Sequence, residues 1–369
     1  MTTVPAFANC HSHVFHRALR GRVTGADSFW SWRDQMYQLA GVLDPDLLFE
    51  LARATYAEMN LAGIRSVGEF HYVHHQPTGK PYDEPNAMGE ALIAAAREAD
   101  IRITLLDTCY LAAGFGKAPE GVQKRFSDGD SDAWATRVES LATKYADEDD
   151  VVIGAAIHSV RAVPRSQLRT VAVALPEAPL HVHVSEQPME NAECIAATGL
   201  TPVALLAEAG VLSPRTTAVH ATHLTTDDIA MLGTARSYVC FCPTTEAELA
   251  DGIGPSVALR DAGARLTLGS DSNTVIDMFA EARAVEMHER LSTGERGSWT
   301  ADQLWLAATT TGHESLGFVV PDTIDIADTI RTAGADELLW AATAADVEGD
   351  PTDVAELLES AIDACWSRV

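Results

Sequence analysis

Three histidines stand close together near the start of the chain, in the segment NCHSHVFHRALRG at positions 11, 13 and 16. On an extended strand His11 and His13 would point to the same face, because side chains two residues apart in a strand share a face. Both imidazoles could then bind one metal ion. The pair alone is also consistent with surface histidines near a mobile terminus, so the interpretation depends on residues further along the chain.

Residues of the types that bind metal ions recur at the ends of later apolar segments. The segment HVHVSE contains His183 and Glu186, VHATH contains His220, and GSDS contains Asp271. Imidazole nitrogens with one carboxylate suit zinc, and iron or nickel can use the same ligands. A zinc ion with an open coordination position would lower the pKa of a bound water toward neutrality. The candidate metal ligands are His11, His13, His183 and Asp271.

Glu186 and His220 have side chains that can take part in proton transfer. Glu186 follows His183 by three residues, so its carboxylate can take a proton from water beside the metal and pass it to a leaving group. His220 could hold that water or polarise a substrate. Each residue also has an ordinary structural explanation, since buried histidines are commonly hydrogen-bonded core residues and Asp271 could cap a turn. Their occurrence together at segment ends favours the metal site.

Eight short apolar segments are predicted strands that alternate with longer amphipathic segments. Continuous apolar runs of this kind suit strands buried on both faces. Helices are predicted between them, for example over 44–63, which starts with Asp–Pro and stops at Gly, and over 84–100 and 201–211. The predicted strands cover residues 4–13, 64–71, 101–108, 151–159, 179–186, 216–223, 237–243 and 265–272.

This alternation predicts an α/β fold of the (β/α)₈ TIM-barrel type. A doubly wound open sheet is the alternative, although no Gly-x-Gly-x-x-Gly follows an early strand. Active sites of such barrels lie at the C-terminal ends of the strands, and polar residues gather there in this sequence. The residues predicted at this polar mouth are His11, His13, Glu69, His71, His158, His183, Glu186, His220, His223 and Asp271.

Composition narrows the classes of function. The chain has 369 residues and a formal net charge of −27, which disfavours nucleic acid and anionic membranes as partners. It shows neither an apolar run of membrane-spanning length nor a signal peptide, so a cytoplasmic protein is expected. The six cysteines form no CxxC pair and are predicted to be buried thiols. Cys240 and Cys242 could share a metal, but no second cysteine pair accompanies them.

The motifs HSH, HVSE, HATH and GSDS resemble those of the amidohydrolase superfamily, which contains metal-dependent barrel hydrolases and deaminases. Within that superfamily the sequence is similar to the formimidoylglutamate deiminases of histidine degradation. The similar segments span most of residues 9–290 in the same order. They are FWSWRDQMY (29–37), SVGEFHYVHH (66–75), HSVRAVP (158–164), HVSEQPMENAEC (183–194), VHATH (219–223) and TEAELADGI (245–253).

The resemblance implies hydrolysis of the C=N bond of N-formimidoyl-L-glutamate to N-formyl-L-glutamate and ammonia. It implies one zinc on the four candidate ligands, catalytic roles for Glu186, His220 and Asp271, and a homodimer. Arginine suits a substrate with two carboxylates because it binds a carboxylate through two hydrogen bonds. The positions that match substrate-binding residues of the family are Arg33, Tyr72, His158 and Arg161, with His16 where glutamine is usual.

Three features depart from the family pattern. His16 and Asn273 replace a glutamine and a histidine, and the chain starts ten residues before His11 instead of after strands of a small β-sandwich. We therefore expect the barrel over residues 1–318. Residues 319–369 are expected to be a shortened sandwich remnant that ends in a helix over 355–366.

Two other functions compete with this prediction. His16 and the missing sandwich domain favour a related metal-dependent deaminase or formimidoyl hydrolase that acts on another small anionic substrate. A non-catalytic barrel that serves as a binding partner is the third hypothesis. The loss of a metal ligand or of Glu186 would have favoured it, and the sequence retains all of them.

Overall fold

The computed structural model describes residues 2–22, 29–319, 322–327 and 335–369. Within these ranges ten strands form a two-stranded sheet and an eight-stranded sheet. The strands are β1 (Thr2–Pro5), β2 (Phe7–Ser12), β3 (Ile64–His71), β4 (Arg102–Cys109), β5 (Val151–Ile157), β6 (Leu180–Val184), β7 (Thr216–His220), β8 (Tyr238–Phe241), β9 (Arg265–Leu268) and β10 (Thr323–Ile326).

The eight-stranded sheet is the predicted barrel. Its strands pair in parallel in the sequential order β2 to β9, and a parallel bridge between Ser12 and Asp271 joins the two ends. The sequential order excludes the doubly wound alternative, in which the strand order reverses. Strands β3 and β4 are buried along nearly their whole length, as expected for strands enclosed on both faces.

Helices follow most barrel strands. Asp44 caps α2 through a 2.9 Å bond from the Leu47 backbone N–H, and Gly63, with a φ of 84°, follows its end. The predicted start and end of this helix are confirmed. The α-helices are α1 (Phe29–Val42), α2 (Pro45–Leu61), α3 (Ala87–Glu98), α4 (Ser131–Lys144), α5 (Leu168–Ala174), α6 (Pro188–Thr198), α7 (Pro202–Glu208), α8 (Thr226–Ala235), α9 (Pro243–Glu248), α10 (Ser256–Ala262), α11 (Met278–Thr293), α12 (Ala301–Ala308), α13 (Thr310–Ser315), α14 (Ala335–Ala341) and α15 (Val354–Trp366). Short 3-10 helices cover Val14–Leu19, Gly121–Phe126, Arg165–Gln167 and Ala344–Asp346.

The prediction of one first strand over 4–13 is wrong. The chain breaks this segment at Ala6, and β1 leaves the barrel to pair antiparallel with β10. Strand β10 was not predicted, because a four-residue segment with alternating burial carries little local signal. The predicted helix over 355–366 is present as α15, and Trp366 Nε1 donates a 2.7 Å hydrogen bond to the carbonyl of Ala18.

Two further expectations can be compared with the structure. All six cysteines are buried and unpaired, as predicted. No helix among the described residues is long and apolar enough to cross a membrane.

The contact between β9 and β2 yields a stability prediction. A Cβ atom added at Gly269 would lie 2.8 Å from the backbone nitrogen and oxygen of His11. Gly269→Ala should therefore lower the free energy of unfolding by about 1–3 kcal/mol, the usual cost of overpacking. The control is Gly41→Ala in α1, where an added Cβ meets no atom within 4 Å; it should be neutral or stabilising. Urea denaturation measures both, and equal stabilities would contradict the prediction.

Candidate active site

The C-terminal ends of the strands bring the four candidate metal ligands together. His11 Nε2 lies 3.0 Å from His183 Nε2 and 3.6 Å from Asp271 Oδ1. His13 Nε2 lies 3.5 Å from the same carboxylate oxygen. Ligand atoms of a tetrahedral zinc site with bonds of 2.0–2.1 Å are about 3.3 Å apart. The four side chains therefore fit around one ion of this size.

Backbone carbonyls orient two of the imidazoles. His13 Nδ1 lies 2.9 Å from the carbonyl of Phe70, and His183 Nδ1 lies 3.0 Å from the carbonyl of His158. A carbonyl can only accept, so each Nδ1 carries the proton and each Nε2 presents its lone pair to the cluster. This is the tautomer that a metal ligand needs.

The protonation states of the cluster also suit a cation. Burial lowers the pKa of His11, His13 and His183, so these rings are neutral near pH 7. Burial alone would raise the pKa of Asp271, but the imidazoles of His11, His220 and His13 hold it well below its usual range. Neutral imidazoles around a carboxylate are the donor set of a divalent metal.

His220 lies beside the cluster and is held by a second carboxylate. Its Nδ1 lies 3.3 Å from Glu246 Oε1, and its Nε2 lies 3.8 Å from Asp271 Oδ2. Glu246 is itself fixed, because it accepts a 2.9 Å hydrogen bond from the backbone N–H of Cys242. Burial lowers the pKa of His220, yet Glu186, Glu246 and Asp271 together raise it well above its usual value. His220, His11 and Asp271 form a second group with potential ligand atoms close together.

Sequence reasoning gave Glu246 no role. The residue lies in the first turn of α9, directly after β8, and is buried. A buried acid at the start of a helix that follows a barrel strand is the one signal that could have identified it. The 26-residue separation from His220 is not a spacing that links two residues in the sequence.

Glu186 follows β6 in a turn where Ser185 has a φ of 53°. His220 and Asp271 also adopt positive φ values, 67° and 48°. Such conformations cost a non-glycine residue about 1–3 kcal/mol each and cluster at functional sites. Burial raises the pKa of Glu186, which favours the protonated form that can give a proton to a leaving group.

Asn273, one of the departures from the family pattern, has a defined position. Its Nδ2 donates hydrogen bonds of 3.0 Å to Ser12 Oγ and 3.1 Å to the carbonyl of His13, and its Oδ1 accepts one of 2.5 Å from Ser270 Oγ. Asn273 thus ties the end of β9 to the end of β2. It acts on the positions of the ligands and does not line the cavity.

A cavity of about 120 Å³ lies over the cluster. Its walls include all five residues predicted to bind substrate. Further walls come from aromatic and amide side chains that the sequence did not single out, among them Tyr37, Tyr110 and Gln123. The predicted substrate-binding residues that line the cavity are His16, Arg33, Tyr72, His158 and Arg161.

Four residues predicted at the polar mouth do not line this cavity. His11 belongs to the group of metal ligands, and the prediction for the other three is corrected. Glu69 accepts hydrogen bonds from Ser12 Oγ at 2.8 Å and from the Val14 backbone at 2.7 Å, so it supports β2. His71 is buried on another side of its strand, against Gly89 of α3. His223 Nε2 donates to a backbone carbonyl at 2.7 Å. No cysteine belongs to a group of potential metal ligands among the described residues.

His16 occupies the cavity wall in a specific arrangement. Its Nε2 lies 3.0 Å from the hydroxyl of Tyr72, and its ring packs edge-on against Trp32 with centroids 5.1 Å apart. Burial lowers the pKa of His16 to about 3, so the ring is neutral. One ring nitrogen is therefore engaged by Tyr72, and the other has no hydrogen-bond partner among the described residues.

Comparison with known proteins places this barrel and its His/Asp cluster in a family. Residues 2–320 match the model of the amidohydrolase family. The chain belongs to the amidohydrolase family, as its motifs predicted. It is 36% identical over 328 residues to a formimidoylglutamate deiminase of Pseudomonas aeruginosa, a match that covers 85% of this chain and 72% of the relative.

Other deaminases are also related. A 5-methylthioadenosine/S-adenosylhomocysteine deaminase of Teredinibacter turnerae is 26% identical, over 85% of this chain and 66% of the relative. Among solved structures, an amidohydrolase of Brucella melitensis superposes with a TM-score of 0.91 at 30% identity, over 99% of this chain and 90% of that one. A zinc-bound adenosine deaminase of Xanthomonas campestris shares the fold, with a TM-score of 0.83 at 21% identity and coverage of 99% and 86%.

Metal binding should stabilise the folded chain. Zinc at about 100 times its dissociation constant is expected to add about 2.7 kcal/mol, because the ligands converge only in the folded state. His13→Asn should lose most of this gain. His288→Asn, a half-buried histidine outside the cavity, is the control and should keep it. Calorimetric melting with and without zinc measures the effect, and a zinc-independent wild-type melting temperature would contradict it.

Proposed function

We propose that the protein hydrolyses the C=N bond of N-formimidoyl-L-glutamate, a step of histidine degradation, to N-formyl-L-glutamate and ammonia, with one zinc ion per subunit. One observation carries the proposal: Arg33 and Arg161 line the same cavity as the His/Asp cluster. The cavity therefore combines a site for a hydrolytic metal with two groups that bind carboxylates. The 36% identity to the Pseudomonas aeruginosa formimidoylglutamate deiminase supports this substrate.

The two arginines matter because the chain carries a net charge of −27. A dianionic substrate is repelled by such a protein unless cations are placed at its binding site. The Nε of Arg161 is buried and has no hydrogen-bond partner among the described residues. Tyr72 and His158, whose ring centroids lie 5.3 Å apart, form adjoining parts of the wall. These four residues are the proposed contacts of the substrate, with His16 beside them.

The reaction adds water across the C=N bond and then breaks a C–N bond. In the proposed sequence Glu186 carries a proton from the attacking water to the imine nitrogen. Asp271 takes the second proton from the resulting hydroxyl group and returns it to the same nitrogen, which leaves as ammonia when its bond to carbon breaks. His220, whose Nε2 faces Asp271, holds the water and stabilises the charge that develops on its oxygen. A zinc ion on the four ligands, when bound, would supply the Lewis acid that lowers the pKa of that water.

A second candidate function is favoured by one observation. His16, engaged by Tyr72 in the cavity wall, offers a different donor and acceptor geometry from the glutamine expected at this position. A related hydrolase that acts on another small anionic formimidoyl or amidine substrate is therefore the alternative. Both candidates use the same metal ligands and Glu186, and they differ only in the substrate.

Ammonia release from N-formimidoyl-L-glutamate tests the proposal. We expect rapid turnover by the zinc-loaded wild type and a loss of about 10²–10⁴-fold in kcat for Glu186→Gln, the usual worth of a positioned acid–base group. Glu177→Gln, at an exposed position outside the cavity, is the control and should retain wild-type activity. Zinc-loaded wild type without ammonia release would reject this substrate in favour of the second candidate.

Glu246→Gln tests how His220 is positioned. The substitution keeps the shape of the side chain but removes the carboxylate that holds His220 Nδ1, so kcat should fall by about 10–100-fold. KM should stay near the wild-type value, because Glu246 does not line the cavity. The exposed neighbour Glu248 provides the control Glu248→Gln. A rise in KM with unchanged kcat would contradict a positioning role.

A further inference from the structure

Three residues of the cavity wall form a hydrogen-bonded cluster that the mechanism above does not use. Gln123 Nε2 donates to the hydroxyl of Tyr37 at 3.1 Å and to the hydroxyl of Tyr110 at 3.0 Å. All three side chains line the cavity. We call Tyr37, Gln123 and Tyr110 the Tyr–Gln cluster.

The orientation of the Gln123 amide is fixed by its other end. Its Oε1 accepts a 3.1 Å hydrogen bond from the backbone N–H of Glu120, within the capping box of the 3-10 helix Gly121–Phe126. An oxygen must face that N–H, so the NH₂ group is the end that faces the two tyrosines. Both amide hydrogens are then used, one on each hydroxyl.

This orientation decides where the tyrosine protons point. Each hydroxyl accepts from Gln123 and must donate its own proton elsewhere. Apart from each other, the two hydroxyls have no acceptor among the described residues. A bond between them would use only one of the two protons. At least one phenolic O–H is therefore available as a donor to a group inside the cavity, and burial raises the pKa of Tyr110, which keeps it protonated.

Two members of the Tyr–Gln cluster lie where the cavity meets a wider groove, and the third, Tyr110, packs against His158 with ring centroids 4.8 Å apart. Tyr37 and Gln123 line both the cavity and a wider groove that opens outward, as do Arg33 and Arg161. The ligands His13, His183 and Asp271 line the cavity alone. The Arg33 guanidinium lies 5.5 Å from the centroid of the Tyr37 ring. The Tyr37 hydroxyl and the two guanidinium groups thus share the outer end, and Gln123 joins the Tyr110 hydroxyl to them.

We propose that the Tyr–Gln cluster, together with Arg33 and Arg161, binds the side-chain carboxylate of the substrate and makes the site selective for a dianion. This inference rests on the proposed function, in which the formimidoyl group lies at the metal ligands. The side-chain carboxylate is the farther of the two from that group, so it reaches the outer end. Gln123 acts as a positioning residue, since it turns both hydroxyls toward the ligand. Hydrogen bonds from such donors to a carboxylate are charge-assisted and short.

Binding of the reaction product tests the proposed carboxylate site without turnover. Isothermal titration calorimetry compares N-formyl-L-glutamate with N-formyl-L-norvaline, which carries a methyl group in place of the side-chain carboxylate. The zinc-loaded wild type is measured beside Tyr37→Phe, Tyr110→Phe, the double variant and Gln123→Glu. Tyr145→Phe, a half-exposed tyrosine outside the cavity, is the matched control, and thermal melting checks that each variant is folded.

We expect the preference for N-formyl-L-glutamate over N-formyl-L-norvaline to fall by about 10-fold in each single Phe variant and about 100-fold in the double variant. Affinity for the norvaline compound should not change. Gln123→Glu should lose the preference as well, because the new carboxylate would accept the tyrosine protons and repel the ligand. Tyr145→Phe should keep the wild-type preference.

Two results would overturn the inference: a wild type that binds the two compounds equally, or a folded double variant that keeps the wild-type preference. The ammonia assay distinguishes a failure of the carboxylate site from a failure of the proposed function. A protein with a cluster-dependent preference but no ammonia release would reject the reaction and keep the carboxylate site. Ammonia release by a double variant with unchanged preference would reject the carboxylate site alone.

Discussion

The barrel closes through the backbone of its own metal ligands, and the site depends on that contact. The Asp271 N–H donates to the carbonyl of His11 at 2.9 Å, and the His13 N–H donates to the carbonyl of Asp271 at 2.9 Å. Asn9 and Asn273 extend this junction through Ser270. The hydrogen bonds that join the first and last strands of the barrel are thus also those that set the spacing of three ligands. A change in how the barrel closes would therefore also change the spacing of these metal ligands.

Charge is distributed along the cavity in a way that matches its proposed substrate. Neutral imidazoles and the carboxylates of Asp271 and Glu186 gather at the inner end, with Glu246 against His220 outside the cavity, and a divalent cation would compensate these carboxylates. Arg33 and Arg161 stand at the outer end, in a protein whose net charge is otherwise strongly negative. A molecule with an amidine-like head and an anionic tail has one favoured direction in such a field.

Much of this site could be predicted because parallel barrel strands end on one side, so residues at strand ends meet whatever their separation in the sequence. That rule located His183 and Asp271 correctly beside His11. It failed for Glu69 and His223, since a residue near a strand end can turn toward a neighbouring strand or loop. The rule could not identify Glu246 or Gln123, because neither residue lies at a strand end. Glu246 lies in the first turn of α9, and Gln123 lies in a 3-10 helix. Strand β10 was missed because its partner, β1, lies at the opposite end of the sequence.

The C-terminal helix has a consequence for the order in which the site is completed during synthesis. Trp366 is bonded to Ala18, in the same 3-10 helix as His16, across 348 residues of sequence. A ribosome releases His11, His13 and His16 well before α15, so their surroundings are completed only when α15 has emerged. Contacts between such distant residues form slowly. One edge of β2 also stays unpaired until β9 has been synthesised. The nascent barrel therefore exposes an unpaired strand edge, which is prone to aggregation, for most of its synthesis.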